Sequence, residues 1–179
     1  MTRSLLVLGG ARSGKSRYAQ SLAEGSGLTP VMIATAQAFD SEMADRIARH
    51  RAERGDGWLL VEEPLHLAQA LTQAAQPGRI LLVDCATLWL SNLMLGEHDV
   101  EAATAELLSI LPGLSAPVIF VSNEVGTGIV PENALARRFR DAQGRLNQAL
   151  AGACEAVVLV SAGLPVQLKP GVRPVFGFG

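Results

Sequence analysis

The stretch that decides the fold is Leu5-Leu6-Val7-Leu8-Gly9-Gly10-Ala11-Arg12-Ser13-Gly14-Lys15-Ser16. Its four apolar residues predict a buried strand, and the next eight match G-x-x-x-x-G-K-[ST], the pattern of a loop that binds phosphate. Residues 17–24 continue as a helix that Gly-Ser-Gly ends. The glycines let successive N–H groups point at an anion, and the helix N-terminus adds its positive end. The sequence therefore predicts a nucleotide site in which Lys15 contacts the outer phosphates and the Ser16 hydroxyl binds Mg²⁺.

The composition indicates a single domain with a large core. Of the 179 residues, 49% are hydrophobic and 18% are charged, which is typical of an α/β domain and excludes a disordered chain. The net charge of -2 gives no overall basic field, so we expect no nucleic-acid partner. We expect one nucleotide-binding transferase domain over residues 1–169 and a flexible tail over residues 170–179, which are rich in Gly and Pro.

The chain lacks the patterns of export and membrane insertion. No stretch approaches the ~20 apolar residues of a membrane span, and the first residues do not form a signal peptide. Cys85 and Cys154 fit neither a metal site nor a disulfide framework, so we expect buried thiols in a reducing compartment. These features together predict a cytoplasmic protein.

Apolar runs alternate with helical patterns along the rest of the chain. Strands are predicted at 30–35, 58–62, 79–84, 117–122 and 156–160, and residues 164–168 fit an edge strand. Helices are predicted at 40–54, 64–75, 87–95, 99–111 and 134–152. This alternation predicts a mainly parallel sheet with helices on both faces, the α/β fold of RecA-like P-loop NTPases.

Asp84 ends the apolar strand at 79–84, where P-loop proteins place the carboxylate that reaches Mg²⁺ or its waters. A switch GTPase usually carries D-x-x-G here, but Cys-Ala-Thr follows Asp84, and the guanine motif N-K-x-D is also absent from the sequence. An ATP motor would need an arginine finger and usually a larger body. A small domain with one acidic strand end therefore favours a transferase.

His50 lies in an arginine-rich helical segment. Spacing by 100° puts Met43, Ile47, His50 and Arg54 on one stripe that faces protein. The neighbouring arginines would lower the imidazole pKa below about 6.5 and leave His50 neutral at pH 7. A neutral imidazole among cations is suited to attack phosphorus. The alternative is a basic helix face that is exposed to solvent.

Four segments together resemble the family of bifunctional adenosylcobinamide kinase / adenosylcobinamide-phosphate guanylyltransferase enzymes of cobalamin biosynthesis. They are GGARSGKS at 9–16, IAT at 33–35, RIARHRAER at 46–54 with Trp58 and Glu62, and SNEVGTGIVPEN at 122–133. The resemblance extends from residue 5 to about residue 169, and the last two segments are more specific than the phosphate loop.

The resemblance implies two reactions, both dependent on Mg²⁺. ATP or GTP phosphorylates the hydroxyl of adenosylcobinamide, and His50 then attacks the α-phosphorus of GTP to form a GMP–histidine intermediate. The phosphorylated cobinamide displaces His50, which gives adenosyl-GDP-cobinamide. The resemblance also implies a homotrimer, a catalytic role for Lys15, metal contacts from Ser16 and Asp84, and nucleotide contacts from Gly9, Gly10, Ala11, Arg12, Ser13, Gly14, Lys15, Ser16, Ala34, Thr35, Ala36, Arg51, Ala52, Glu53, Arg54, Glu62 and Asp84.

Two other functions stay open at this point: a small-molecule P-loop kinase without guanylyl transfer, and a GTP-binding regulatory module. The two implied reactions also need different phosphates exposed. We therefore expect the helix that carries His50 to move, or the nucleotide to bind in two registers. The loop at 123–133 and the arginine-bearing helix after it are where we expect the corrinoid substrate.

Overall fold

The computed structural model of the protein describes residues 3–37 and 57–171. These residues form a seven-stranded sheet. Its strands in chain order are β1 (Ser4–Gly9), β2 (Thr29–Ala34), β3 (Leu59–Glu62), β4 (Arg79–Asp84), β5 (Val118–Asn123), β6 (Ala156–Ser161) and β7 (Leu164–Lys169). The predicted strands are all present, with ends that differ by one or two residues.

The sheet is parallel except at one edge. Its strand order is β3-β2-β4-β5-β1-β6-β7, and only β7 pairs in the antiparallel direction, with β6. β1 lies in the interior of the sheet between β5 and β6. The buried strands are rich in Val, Ile and Leu, as expected for strands covered on both faces. The predicted mainly parallel sheet, with an edge strand at its C-terminal end, is confirmed.

Five helices cover the two faces of the sheet in the described ranges. They are α1 (Lys15–Glu24), α2 (Leu67–Ala74), α3 (Ala86–Leu95), α4 (Val100–Ile110), which runs into a 3-10 turn at Leu111–Gly113, and α5 (Ala134–Ala153). Ala19 and Ala23 of α1 pack on one face, whereas Leu71, Leu107 and Leu150 of three other helices pack on the opposite one. The prediction of helices on both faces is therefore confirmed.

The helix predicted from residue 64 begins later, at Leu67. The carboxylate of Glu63 accepts hydrogen bonds from the N–H groups of Leu65 (2.9 Å) and His66 (2.8 Å), which hold residues 64–66 in a turn. By contrast, Asp99 caps α4 as predicted and accepts from the N–H of Ala102 at 2.9 Å. The helix predicted at 40–54, with His50, lies outside the described residues.

Helix α3 packs on the sheet of its own chain. Trp89, Leu90 and Leu93 are buried in the core, and the Trp89 indole donates to the Leu65 carbonyl at 2.8 Å. Leu95, at the end of the helix, is 60% exposed. The apolar composition of this helix is thus explained within one subunit and does not require an interface.

Lys169, the last residue of β7, closes the end of α5. Its Nζ donates to the carbonyl oxygens of Ala151 (2.9 Å), Gly152 (3.0 Å) and Cys154 (2.6 Å). A cation at a helix C-terminus satisfies carbonyls that have no partner within the helix. The edge strand is thereby joined to the longest described helix.

Over the described residues, none of the helices combines the length and the apolar character that crossing a membrane requires.

Candidate nucleotide site

The phosphate loop connects β1 to α1. Gly14 adopts the left-handed conformation, with a φ of 92°, immediately before the first helical residue, Lys15. The N–H of Ser13 donates to the Gly10 carbonyl at 3.3 Å, and that of Tyr18 donates to the Gly14 carbonyl at 3.0 Å. The chain therefore turns tightly and then enters the helix, so that the positive end of α1 is adjacent to the loop.

The turn between β6 and β7 supports this loop from behind. The N–H of Gly163 donates to the Ser13 carbonyl at 2.8 Å. A Cβ added at Gly14 would lie 3.2 Å from the Cα of Gly163, and one added at Gly9 would lie 2.6 Å from the Val160 carbonyl oxygen. At Gly9 the added atom would clash with the backbone, and at Gly14 the contact is tight and the φ of 92° already disfavours a side chain. The loop shape thus depends on glycine and on the C-terminal hairpin.

Lys15 and Ser16 occupy the first two positions of α1 and are both half-buried. The Lys15 Nζ donates to the Gly10 carbonyl at 3.1 Å, so the side chain folds back over the loop. This places the ammonium group at the concave side of the loop, where phosphate oxygens bind in P-loop proteins.

Asp84 ends β4 and is half-buried, at the same edge of the sheet as the phosphate loop. Thr35, which is fully buried, supports Cys85, the residue that follows Asp84. Its hydroxyl donates to the Cys85 carbonyl at 2.8 Å and accepts from the Cys85 N–H at 3.0 Å. The Thr35 carbonyl accepts from the Asn92 amide at 2.7 Å. The Thr35 side chain therefore serves to fix the backbone next to Asp84, and its contact with nucleotide stays a prediction.

Neighbouring strands bring two more of the predicted residues to this edge. In the sheet register, Ala34 is paired with Asp84 on one side and with Glu62 on the other. Glu62 is exposed, and Ala34 and Ala36 are half-buried. The structure thus places Ala34, Glu62 and Asp84 side by side. The predicted site residues His50, Arg51, Ala52, Glu53 and Arg54 lie outside the described residues.

The thiol of Cys85 is close to both charges of the site. Burial raises its pKa to about 11; the Asp84 carboxylate also raises it, and the Lys15 ammonium opposes the shift. Because both groups act on one thiol, Lys15 and Asp84 lie near the same point of the structure. A positive and a negative group of the predicted site therefore both lie within electrostatic range of Cys85.

A buried polar network at the end of β5 was not predicted from the sequence. Ser122 donates to Asn147 Oδ1 at 2.7 Å, and the Gln143 amide donates to the Ser122 hydroxyl (3.0 Å) and to Asn147 Oδ1 (2.9 Å). Thr87 accepts from the Asn123 N–H at 2.8 Å. Gln143 and Asn147 are four residues apart on the apolar face of α5. A polar pair at this spacing on a buried helix face was the sequence signal that could have indicated the network.

The oxygen donors of the site fit Mg²⁺. No group of three or more His, Cys, Asp or Glu residues that could hold a metal occurs within 3–37 and 57–171. Magnesium does not need such a group, because it usually binds one or two protein oxygens and completes its octahedron with phosphate and water. The Ser16 hydroxyl and the Asp84 carboxylate are the residues that would hold it.

Comparison with known proteins identifies the family. The family described as cobinamide kinase / cobinamide phosphate guanyltransferase matches residues 5–168. The chain belongs to this family. Relatives of the chain include the bifunctional adenosylcobalamin biosynthesis protein CobP of Pseudomonas aeruginosa, 52% identical over 92% of this chain and 96% of that protein. The protein CobU of Escherichia coli, named in the same way, is 42% identical over 92% of this chain and 99% of its own length.

Solved structures agree with the fold of a cobinamide kinase / cobinamide phosphate guanyltransferase. The RadB recombinase matches with a TM-score of 0.53 and 17% identity, over 87% of this chain and 73% of RadB. An ATPase of a type III secretion system matches with a TM-score of 0.54 and 10% identity, over 92% of this chain and 56% of the ATPase. At this identity the likeness concerns the fold alone, and it confirms the predicted P-loop NTPase architecture.

Proposed function

We propose that this protein catalyses the two transfers that the family description names. It phosphorylates adenosylcobinamide with ATP or GTP, and it then transfers GMP from GTP to the phosphorylated product to give adenosyl-GDP-cobinamide. The observation that carries the proposal is the family match over residues 5–168, which contains the phosphate loop, the Asp84 strand end and the segment 46–54. Relatives that share about half of its residues are named as bifunctional proteins of adenosylcobalamin biosynthesis.

The phosphate loop performs the binding that both transfers need. Its N–H groups, the positive end of α1 and the Lys15 ammonium hold the triphosphate. Ser16 and Asp84 would hold Mg²⁺, which supplies charge neutralisation on phosphate oxygens when it is bound. Ala34, Ala36 and Glu62 lie at the same sheet edge, where the nucleoside binds in open α/β sheets.

The second transfer uses His50 as nucleophile. The lone pair of the neutral imidazole attacks the α-phosphorus of GTP, pyrophosphate leaves with the bonding electrons, and a phosphorus–nitrogen bond forms. A phosphate oxygen of the phosphorylated cobinamide then displaces the imidazole. The arginines at 46–54 support this role, because neighbouring cations disfavour protonation of an imidazole and screen phosphate charge. The neighbouring Arg51, Ala52, Glu53 and Arg54 are part of the proposed GTP contact.

Incubation with α-labelled GTP separates this proposal from its two alternatives. A phosphoramidate label on the protein, stable to alkali and released by acid, is expected for the bifunctional enzyme. A kinase without guanylyl transfer would convert adenosylcobinamide but leave the protein unlabelled. A regulatory module would bind GTP, form no adduct and phosphorylate no acceptor.

Replacement of His50 tests whether this residue serves the GMP transfer alone and not the phosphorylation. His50→Ala should abolish protein labelling and GMP transfer, because the nucleophile is lost, and should leave phosphorylation of adenosylcobinamide measurable. His66→Ala is the matched control, since His66 is exposed and lies outside the resembling segments. Loss of both transfers in a folded His50→Ala protein would show that His50 has a structural role instead.

The remaining assignments belong to the same proposal. The corrinoid is the small-molecule partner, the enzyme acts without nucleic acid as a homotrimer, and residues 1–169 form the transferase domain with a short tail. Both cysteines are free and buried, which suits a reducing cytoplasm.

A further inference from the structure

Glu124 is an acidic residue that the nucleotide site does not use. It follows the last residue of β5, the strand that separates the phosphate-loop strand β1 from the Asp84 strand β4. Asn123 is paired with Gly9, and the Glu124 N–H donates to the Gly9 carbonyl at 3.0 Å. The backbone of Glu124 is thus bonded to the first glycine of the phosphate loop.

The side chain of Glu124 is held by a buried amide. Asn147 Nδ2 donates to Glu124 Oε1 at 3.3 Å and to the Asn123 carbonyl at 3.0 Å. Its Oδ1 accepts from Ser122 and Gln143. Asn147 therefore makes all four hydrogen bonds that an amide can make, and its orientation is fixed. Burying polar groups is costly, and within the described residues Gln143 Oε1 has no hydrogen-bond partner. The fold therefore maintains a costly arrangement whose outer end is a carboxylate.

Three of the described acidic residues at this edge differ in their position. Asp84 would bind the metal, and Glu62 lies at the end of β3, which β2 and β4 separate from β5. Glu124 is half-buried and adjoins the phosphate loop. It also begins the loop at 124–133, where Ile129 and Val130 are 96% and 58% exposed. A carboxylate between held phosphates and an open apolar loop is placed where a large acceptor would bring its hydroxyl.

From this placement we propose that Glu124 is the general base of phosphoryl transfer. This inference rests on the proposed function and adds a catalytic residue to it. The acceptor oxygen forms a bond to the γ-phosphorus, while the bond from that phosphorus to the β–γ bridging oxygen breaks. The nucleoside diphosphate leaves with the electron pair, and the proton of the acceptor hydroxyl passes to the Glu124 carboxylate.

The second transfer has no such requirement. Its acceptor is a phosphate monoester, which is ionised at neutral pH because its second pKa is about 6. That acceptor carries no proton that must be removed before it attacks phosphorus. Glu124 therefore acts in the first transfer and is dispensable in the second.

The test is the substitution Glu124→Gln. Glutamine keeps the shape and an oxygen that can accept from Asn147, but it is not a base. Phosphorylation of adenosylcobinamide should fall by about 10²–10⁴-fold, the usual contribution of a general base. Protein labelling from α-labelled GTP, and GMP transfer to acceptor that has been phosphorylated beforehand, should stay close to the wild-type rates. Glu106→Gln is the matched control, because Glu106 is an exposed glutamate of α4 that lies outside the resembling segments and the loop at 123–133.

Glu124→Asp, which retains a carboxylate, covers the case in which glutamine disturbs the loop. It should phosphorylate faster than Glu124→Gln. A wild-type phosphorylation rate in Glu124→Gln, equal loss of both transfers, or equal rates in the two variants would overturn the inference. Failure of the wild-type protein to phosphorylate adenosylcobinamide at all would instead overturn the proposed function.

Discussion

Cys85 shows how a residue without a catalytic task can report on the site around it. The Asp84 carboxylate and the Lys15 ammonium act on its thiol in opposite directions, and burial, the largest influence, raises its pKa to about 11. Burial likewise raises the pKa of Cys154 to about 12. Both thiols are protonated at neutral pH, so neither is a nucleophile. Their role is to fill the core.

These raised pKa values predict how stability depends on pH. The folded protein keeps both thiol protons above about pH 9, whereas the unfolded chain has released them. The unfolded state then binds fewer protons, so the free energy of unfolding should fall as pH rises, by about 1.4 kcal/mol per unit for each thiol. Below pH 9 this contribution to stability is fully present.

Urea unfolding at about pH 8 and about pH 10.5 measures the effect. Other groups also titrate in this interval, so the relevant quantity is the difference between the wild-type protein and the double variant Cys85→Ala, Cys154→Ala. The variant should lose less stability than the wild type on going to alkaline pH. An equal loss would mean that the thiols do not titrate differently in the two states.

Among the elements, the C-terminal hairpin supports both the phosphate loop and the longest described helix. The Gly163 N–H bonds the loop at Ser13, and Lys169 bonds three carbonyls at the end of α5. Strand β7 itself is exposed along most of its length, so these polar contacts hold it in place more than core burial does. An edge strand thus fixes two parts of the molecule.

Replacement of Lys169 should destabilise the contact between β7 and the C-terminal end of α5. Lys169→Met keeps an unbranched side chain but removes the cation and its three hydrogen bonds. Because the carbonyls are partly exposed and can be rehydrated, we expect a loss of about 1–2 kcal/mol in the free energy of unfolding. Urea denaturation measures this loss. The control is Arg145→Met, which changes an exposed residue of α5, the helix whose end Lys169 contacts. Equal stability of the two variants would contradict the assignment.

At the scale of the whole molecule, the local parts of the fold could be predicted from the sequence and the long-range parts could not. The strand, phosphate loop and helix at 4–24 follow from one contiguous motif. The hydroxyl of Thr35 binding Cys85, and the amide of Asn147 holding Glu124, join residues 50 and 23 positions apart. No spacing rule predicts such pairs, because they depend on how the strands are ordered.

The helix start that the structure corrects, at residue 64, has a local reason. Pro64 fits the first turn of a helix, and on that signal the sequence predicted a start at residue 64. The Glu63 carboxylate instead accepts hydrogen bonds from the N–H groups of Leu65 and His66, which holds a turn ahead of Leu67. Both signals are present in the sequence, and pattern alone does not decide between a proline and a side-chain cap.

The proposed assembly can be checked directly. A homotrimer should have a mass of about 56 kDa, three times the 18.8 kDa of the chain. Light scattering coupled to size-exclusion chromatography measures this mass, and it should hold as the protein is diluted through the micromolar range. A mass of one or two chains would contradict the trimer.

The interior position of β1 has a consequence for synthesis on the ribosome. This strand is made first, but it pairs with β5 and β6, whose residues begin at Val118 and Ala156. Its phosphate loop also needs the Gly163 N–H. During synthesis β1 therefore has no partner strand until β5 has been made, and its other side stays unpaired until β6 has been made. Because the phosphate loop is complete only after Gly163 has been made, nucleotide binding cannot stabilise shorter nascent chains.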